Sequence, residues 1–170
     1  MPFEIRDIAP ADFERVLAIN EDEVSALSPL DEKSLARLIG EASFCRVLVV
    51  EGEIAAFLIA LREGANYASV NYRWFAERYP KFLYVDRVVV ARSYQRIGAG
   101  QTLYAELFQF ARDYDVRLMT CEFDIVPPNE ASRRFHERYG FKSVGTQHLG
   151  NCKQVALQAL ELPLAGGDAL

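Results

Sequence analysis

The amino-acid sequence predicts an α/β domain built on one mixed sheet with helices on both faces. Three observations predict it. Segments of strand and helix rhythm follow one another as strand, helix, helix, strand, strand, then strand, helix, strand, helix, strand, strand. The runs Phe44 to Glu51 and Ile54 to Arg62 are too apolar to leave one face in water, so the sheet is covered on both sides. The chain has 170 residues, 51% hydrophobic and 25% charged, which suits one domain with a real core. That domain is expected over 1–162, with the glycine-containing segment 163–170 as a flexible tail.

Each element has its own signal. Phe3-Glu4-Ile5-Arg6 alternates like a first strand. Pro10-Ala11-Asp12 opens a helix, with Asp12 as its N-cap, and Phe13, Val16, Leu17 and Ile19 recur at helical spacing. Ser28-Pro29 breaks that pattern, and Asp31 to Ser34 starts a second helix that ends near Gly40. Glu51-Gly52-Glu53 joins the two apolar runs as a hairpin. Gly64 to Pro80, rich in aromatics and amides, reads as a long loop with a short helix near Arg73 to Tyr79. Phe82 to Ala91 is a strand, Gln101 to Tyr114 a helix, and Arg117 to Val126 another strand. Pro127-Pro128-Asn129 stops it and begins a helix to Tyr139, closed by Gly140. Phe141 to Gln147 and Gln154 to Leu162 are the last strands.

Composition excludes several classes. A net charge of −5 disfavours a nucleic-acid partner, which needs a basic footprint. No apolar run is long enough to cross a bilayer, and the early acids do not fit a secretory signal. The cysteines Cys45, Cys121 and Cys152 stand far apart, without metal-ligand spacing, so no metal site is expected and a reducing cytoplasm suits them.

The segment from Val90 to Gly100 runs from a strand into a helix. Backbone N–H groups at a helix start lack intrahelical partners and carry partial positive charge, so they attract anions. Glycines at 98 and 100 let a phosphate approach closely, and Arg96 adds charge from the side. A Walker loop needs a lysine that is absent here. A dinucleotide loop wants its glycines directly after the strand, although Glu122 stands at about the right distance for a ribose-binding acid.

The longer pattern Gln95-x-x-Gly98-x-Gly100 resembles the CoA-binding signature of the GNAT family of N-acetyltransferases. Asn129-x-x-Ser132-x-x-Phe135-His136-x-x-x-Gly140-Phe141 is similar to that family's late helix and following strand. The element order matches from Phe3 to Leu162. The resemblance implies an acyl-CoA N-acyltransferase-like fold: a mostly antiparallel twisted sheet with splayed central strands. It implies acetyl-CoA as acyl donor and no metal. Val88, Val89 and Val90 are expected to offer backbone groups to the pantetheine arm. Gln95, Arg96, Ile97, Gly98, Ala99, Gly100 and Gln101 are expected to take the pyrophosphate, with Asn129 and Phe135 beside the arm.

Where the family carries a tyrosine that protonates the leaving thiolate, this chain has His136. Three readings stay open for it: general acid, cofactor contact, or structural residue. The amine also needs a base. Glu122 and Asp124 share one strand face, and Asp86 lies on the neighbouring strand; each is weighed against a plain ion pair, Asp86 with Arg87 for example. By resemblance the acceptor site lies around Asn20 to Leu30 and Gly64 to Pro80, which offers Glu23 for a cationic amine and Tyr67, Tyr72, Trp74 and Phe75 as an aromatic wall. Asp124 is counted on the acceptor side as well. The expected partner is a small-molecule or peptide amine, with a homodimer left open, and no nucleic acid or membrane. The rival readings are a CoA-sensing module without catalysis and a nucleotide-dependent oxidoreductase.

Overall fold

The computed structural model describes residues 2–23, 29–150 and 152–163. The expected break at Ser28, part of the Asn20–Leu30 acceptor segment and most of the expected tail lie outside them.

The strands are β1 (Glu4–Asp7), β2 (Phe44–Val50), β3 (Glu53–Arg62), β4 (Leu83–Val90), β5 (Leu118–Val126), β6 (Lys142–Leu149) and β7 (Lys153–Glu161). They form one open sheet in the order β1-β2-β3-β4-β5-β7-β6. Only β4 and β5 run parallel; every other neighbouring pair is antiparallel. The helices are α1 (Phe13–Asp22), α2 (Glu32–Glu41), α3 (Val70–Ala76), α4 (Ala99–Asp113) and α5 (Glu130–Tyr139).

Alternation along the strands sorts the core into two layers. Val47 and Leu48 are adjacent and both 0% exposed, yet one joins the cluster under α1, α2 and α3 and the other the cluster under α4. This is the two-sided burial expected from the apolar hairpin.

Three local expectations shift. Asp12 does not cap α1 with its side chain. Its carboxylate turns back to accept from Arg6 at 2.7 and 2.9 Å and from the Ala9 N–H at 2.7 Å. The short helix begins at Val70 rather than near Arg73, because the Ser69 hydroxyl accepts from the Tyr72 N–H at 3.3 Å and caps it. Helix α4 begins at Ala99, two residues ahead of the expected start, because Gly98 takes the N-cap position.

The feature that builds the site is a register shift in β4. Ala60 faces Val85 and Ile59 faces Arg87, so Asp86 is an extra residue on the strand. The bulge turns Asp86 and Arg87 to the same face. Beyond it Val89 packs with the α1–α3 layer, and Val88 and Val90 with the α4 layer.

Candidate active site

Strands β4 and β5 pair only at Leu83↔Met119 and Tyr84↔Thr120, then part. The backbone edge of Val85–Val90 that faces β5 is left without a partner strand, and a cleft of about 770 Å³ opens there toward α4 and α5. Val88, Val89 and Val90 form one wall. Gln95, Arg96, Gly98, Ala99, Gly100 and Gln101 form the rim, and Asn129, Phe135 and His136 the opposite side. Ile97 does not line the cleft; it packs against the α4 layer.

The rim owes its shape to backbone conformation. Gly98 sits at φ +87°, where a side chain would cost on the order of 1 kcal/mol, and Arg96 adopts the same left-handed region at φ 66°. The turn leaves the first amides of α4 free of intrahelical partners at the cleft. A Cβ on Gly100 would stand 3.5 Å from the Phe135 ring, so α5 approaches the start of α4 at that residue. Asn129 caps α5: its Oδ1 accepts from the Ser132 N–H at 3.2 Å, which leaves its amide N–H₂ as the donor for a ligand. A glycine rim, orphan amides and an unpaired strand edge fit an extended pantetheine arm ending in phosphates.

His136 is 4% exposed. Its Nδ1 stands 2.7 Å from the Ser132 carbonyl, which can only accept, so Nδ1 carries the proton. Its Nε2 therefore accepts from the Tyr104 hydroxyl at 2.6 Å. Burial lowers its pKa, so the ring is held neutral. Both nitrogens are engaged within the protein, an arrangement that suits the structural reading of this residue better than the acid.

A second cavity of about 620 Å³ lies on the α1–α3 face, lined by α2, by residues 66–71 and by Lys153 and Val155. Asp86, Arg87, Glu122 and Asp124 line both cavities, which meet where β4 and β5 part.

The three carboxylates differ. Asp86 accepts from the Tyr67 hydroxyl at 2.5 Å and from Arg87 Nε at 2.7 Å, so both oxygens are used. For Asp86 the arrangement found is the ion pair. Asp124 pairs with Lys153 Nζ at 3.3 Å; burial raises its pKa and the lysine pulls it back. Glu122 accepts from the Tyr84 hydroxyl at 2.9 Å through Oε1, while the buried Oε2 makes no well-formed hydrogen bond, although the Asn71 side chain also bears on the carboxylate. Burial, reinforced by the charges of Asp86 and Asp124 and opposed by hydrogen bonding from Tyr84 and Asn71, pushes its carboxyl up to about 8.

The expected acceptor residues separate. Tyr67 lines the second cavity, but Tyr72 and Trp74 line neither. The Tyr72 hydroxyl donates to the Arg62 carbonyl at 2.7 Å and accepts from the Ala65 N–H at 3.0 Å, which fixes the loop. Trp74 stacks on Arg78 at 3.9 Å and lies against Gly145, where a Cβ would meet its ring at 2.7 Å. Of the expected aromatic wall only Tyr67 faces a cavity; Tyr72 and Trp74 pack the loop, and Phe75 is fully buried with them. Glu23 lines the cleft between β4 and β5 rather than the second cavity, 4.0 Å from Arg92. Sequence reasoning missed Tyr84, Tyr104 and Arg87 as site residues. The first two are strand and helix core residues by pattern, and Arg87 reaches the site only through the bulge, where its Nη1 donates to Asn20 at 3.0 Å.

An open, mostly antiparallel sheet whose two parallel strands part over a helix start defines the acyl-CoA N-acyltransferase fold. It departs from the mostly parallel sheet that carries a dinucleotide-binding loop. The chain belongs to the GNAT acetyltransferase family, whose model matches residues 4–141. No curated protein matches by sequence. The fold is similar to that of the ribosomal-protein-S18-alanine N-acetyltransferase of Escherichia coli, at 20% identity and a TM-score of 0.73 over 99% of each chain. It is similar to Ard1 of Thermoplasma volcanium, at 16% identity and a TM-score of 0.79, covering 96% of this chain and 99% of that one. It is also similar to yncA of Salmonella typhimurium, solved with its cofactor acetyl-CoA, at 20% identity and a TM-score of 0.69 over 100% of both chains. No helix among the described residues is long and apolar enough to cross a membrane.

Proposed function

We propose that the protein transfers an acetyl group from acetyl-CoA to an amine that enters through the second cavity, with Glu122 as the proton acceptor. The observation that carries this reading is the buried Glu122 carboxylate, which has no ion pair among the described residues and whose Oε2 makes no well-formed hydrogen bond, at the junction of the two cavities. An acid in that state needs a proton or a cation, and an incoming ammonium supplies both.

The other residues fall into supporting roles. The first amides of α4, with Gln95 and Arg96, hold the pyrophosphate. The free edge of β4 and the Asn129 amide hold the arm, and amides of Val88–Val90 polarise the acetyl carbonyl. The amine nitrogen forms a bond to the carbonyl carbon as the carbon–sulfur bond breaks. The ammonium first gives one proton to Glu122; after attack the nitrogen gives up a second as the amide forms, and the departing thiolate takes up that proton. No bond to the enzyme is required; burial pushes the Cys121 thiol well up, so it holds no thiolate to act as nucleophile.

The acceptor is a small-molecule or peptide amine. The alanine N-terminus named for the E. coli neighbour belongs among the peptides to try. Cys45, Cys121 and Cys152 are all free, which suits a reducing cytoplasm. Calorimetry with acetyl-CoA, followed by thiol release over a panel of amines, amino acids and peptides, tests the reading. Glu122→Gln is expected to keep donor binding and to lower turnover roughly a hundredfold or more. Tight donor binding without turnover on any amine favours a CoA-sensing module instead. Binding of NADH in place of acetyl-CoA sinks the proposal.

A further inference from the structure

Helix α3 lies against β6, the edge strand of the sheet. A Cβ on Gly145 would meet the Trp74 ring at 2.7 Å, so the bare backbone of that glycine lets helix and strand come together. Gln147 follows two residues on, on the same face of β6, and Asn71 lies about one turn before Trp74 on α3. There the Gln147 Nε2 donates to the Val70 carbonyl at 3.3 Å and to the Asn71 Oδ1 at 2.9 Å.

These two bonds decide which way the Asn71 amide points. A backbone carbonyl can only accept, so the end of Gln147 that meets Val70 is its N–H₂ group. The second N–H of that group needs an acceptor, so the Asn71 atom it meets is the oxygen. The Asn71 Nδ2 is thereby left to face away from Gln147. Asn71 is 8% exposed and lines the second cavity together with Glu122. Its side chain bears on the Glu122 carboxylate and opposes the rise that burial imposes there, as a donor does and an acceptor would not.

We propose that Asn71 and Gln147 are positioning residues for the base: Gln147 aligns the Asn71 amide, and Asn71 holds an N–H against the Glu122 carboxylate and favours its proton-accepting form. The inference rests on the reading of Glu122 as proton acceptor above. A reversed Asn71 amide would set its oxygen against the carboxylate and favour the protonated acid instead. The other groups that face Glu122 leave its titration readable. Burial pushes up the hydroxyls of Tyr67, Tyr84 and Tyr104 and the thiol of Cys121, and it lowers His136. Asp86 is paired with Arg87, and Asp124 with Lys153. None of these is a glutamate, so a signal from glutamate carboxyls separates Glu122 from them.

Titration of isotope-labelled glutamate carboxyls by NMR tests it without an acceptor substrate, with the Glu122 signal assigned by its loss in Glu122→Gln. The wild-type midpoint is expected at about 8. Asn71→Leu removes the donor and is expected to raise the midpoint by about one pH unit. Gln147→Met is expected to raise it by less, because Asn71 stays but is no longer aligned. The double variant is expected to shift it no further than Asn71→Leu alone, since Gln147 acts through Asn71. Gln147 is only partly buried on an edge strand, so its variant decides the matter even where Asn71→Leu does not fold. A midpoint unmoved in either folded variant, or shifts that simply add in the double, overturns the inference and leaves Glu122 as the base. If the wild-type carboxyl titrates in the ordinary glutamate range, the reading of Glu122 as a poised base falls and the inference falls with it.

Discussion

Glu122→Gln separates a poised base from an ordinary buried acid by stability alone. In the folded protein the Glu122 carboxyl titrates at about 8, against an ordinary value of 4.5. The folded state therefore holds this proton more tightly than the unfolded state. The stability linked to Glu122 is fully present below about 4.5 and is lost as pH rises through about 8. The shift is roughly 3.5 units at about 1.4 kcal/mol each, so the loss is on the order of 5 kcal/mol between pH 4 and pH 9. Glutamine cannot ionise, and its carbonyl oxygen still accepts from the Tyr84 hydroxyl. Urea unfolding of both proteins at pH 5.5 and pH 9, followed by the fluorescence of Trp74, reads the difference. The variant should gain on the wild type by several kcal/mol over that interval. The reasoning is refuted if the gap between the two proteins is the same at both pH values, for Glu122 would then titrate as an ordinary carboxylate. Turnover of the wild type should rise with pH toward 8 for the same reason, and that limb should vanish in the variant.

Gly98→Ala places a Cβ on a residue at φ +87° and should cost about 1–2 kcal/mol of stability, read by denaturant unfolding, with weaker acetyl-CoA binding by calorimetry. Arg87→Met removes the cation that pairs with Asp86, whose side chain is 5% exposed; unfolding measurements should show a loss of about 3–5 kcal/mol. His136→Asn should cost about 1–3 kcal/mol by leaving the Tyr104 hydroxyl poorly paired, while the pH–rate profile keeps its wild-type shape. A pH limb that disappears in His136→Asn would instead make the imidazole the general acid.

Much of the fold is legible in the residues because its signals are local. Alternation marks β1 and helical spacing marks α1. The acidic turn at Glu51-Gly52-Glu53 marks the hairpin, and Gly140 marks the end of α5. Gly98 and Gly100 mark the turn into α4 for the same reason, since a tight turn and a bare helix start depend on a few neighbouring residues. Boundaries slipped where the deciding group was a side chain that the pattern did not single out, as with Ser69 at the start of α3.

The roles of the polar residues were decided elsewhere. Period-two reasoning places Asp86 and Arg87 on opposite faces, and only the pairing with β3 reveals the bulge that brings them together. Glu122, Asp86 and Asp124 look equivalent as strand acids. Arg87, next in the chain, and Lys153, from β7, neutralise two of them, with a Tyr67 hydroxyl donating to the first, while one oxygen of the third makes no well-formed hydrogen bond. The aromatics of Gly64–Pro80 likewise read as a wall until Trp74 is seen against Gly145. The sequence by itself determined the order of elements and the glycine turn ahead of α4, because backbone conformation and side-chain periodicity are set by near neighbours. Which acid is left unpaired, and that two cavities meet beside it, only the tertiary structure decided, because burial and charge compensation depend on groups tens of residues away.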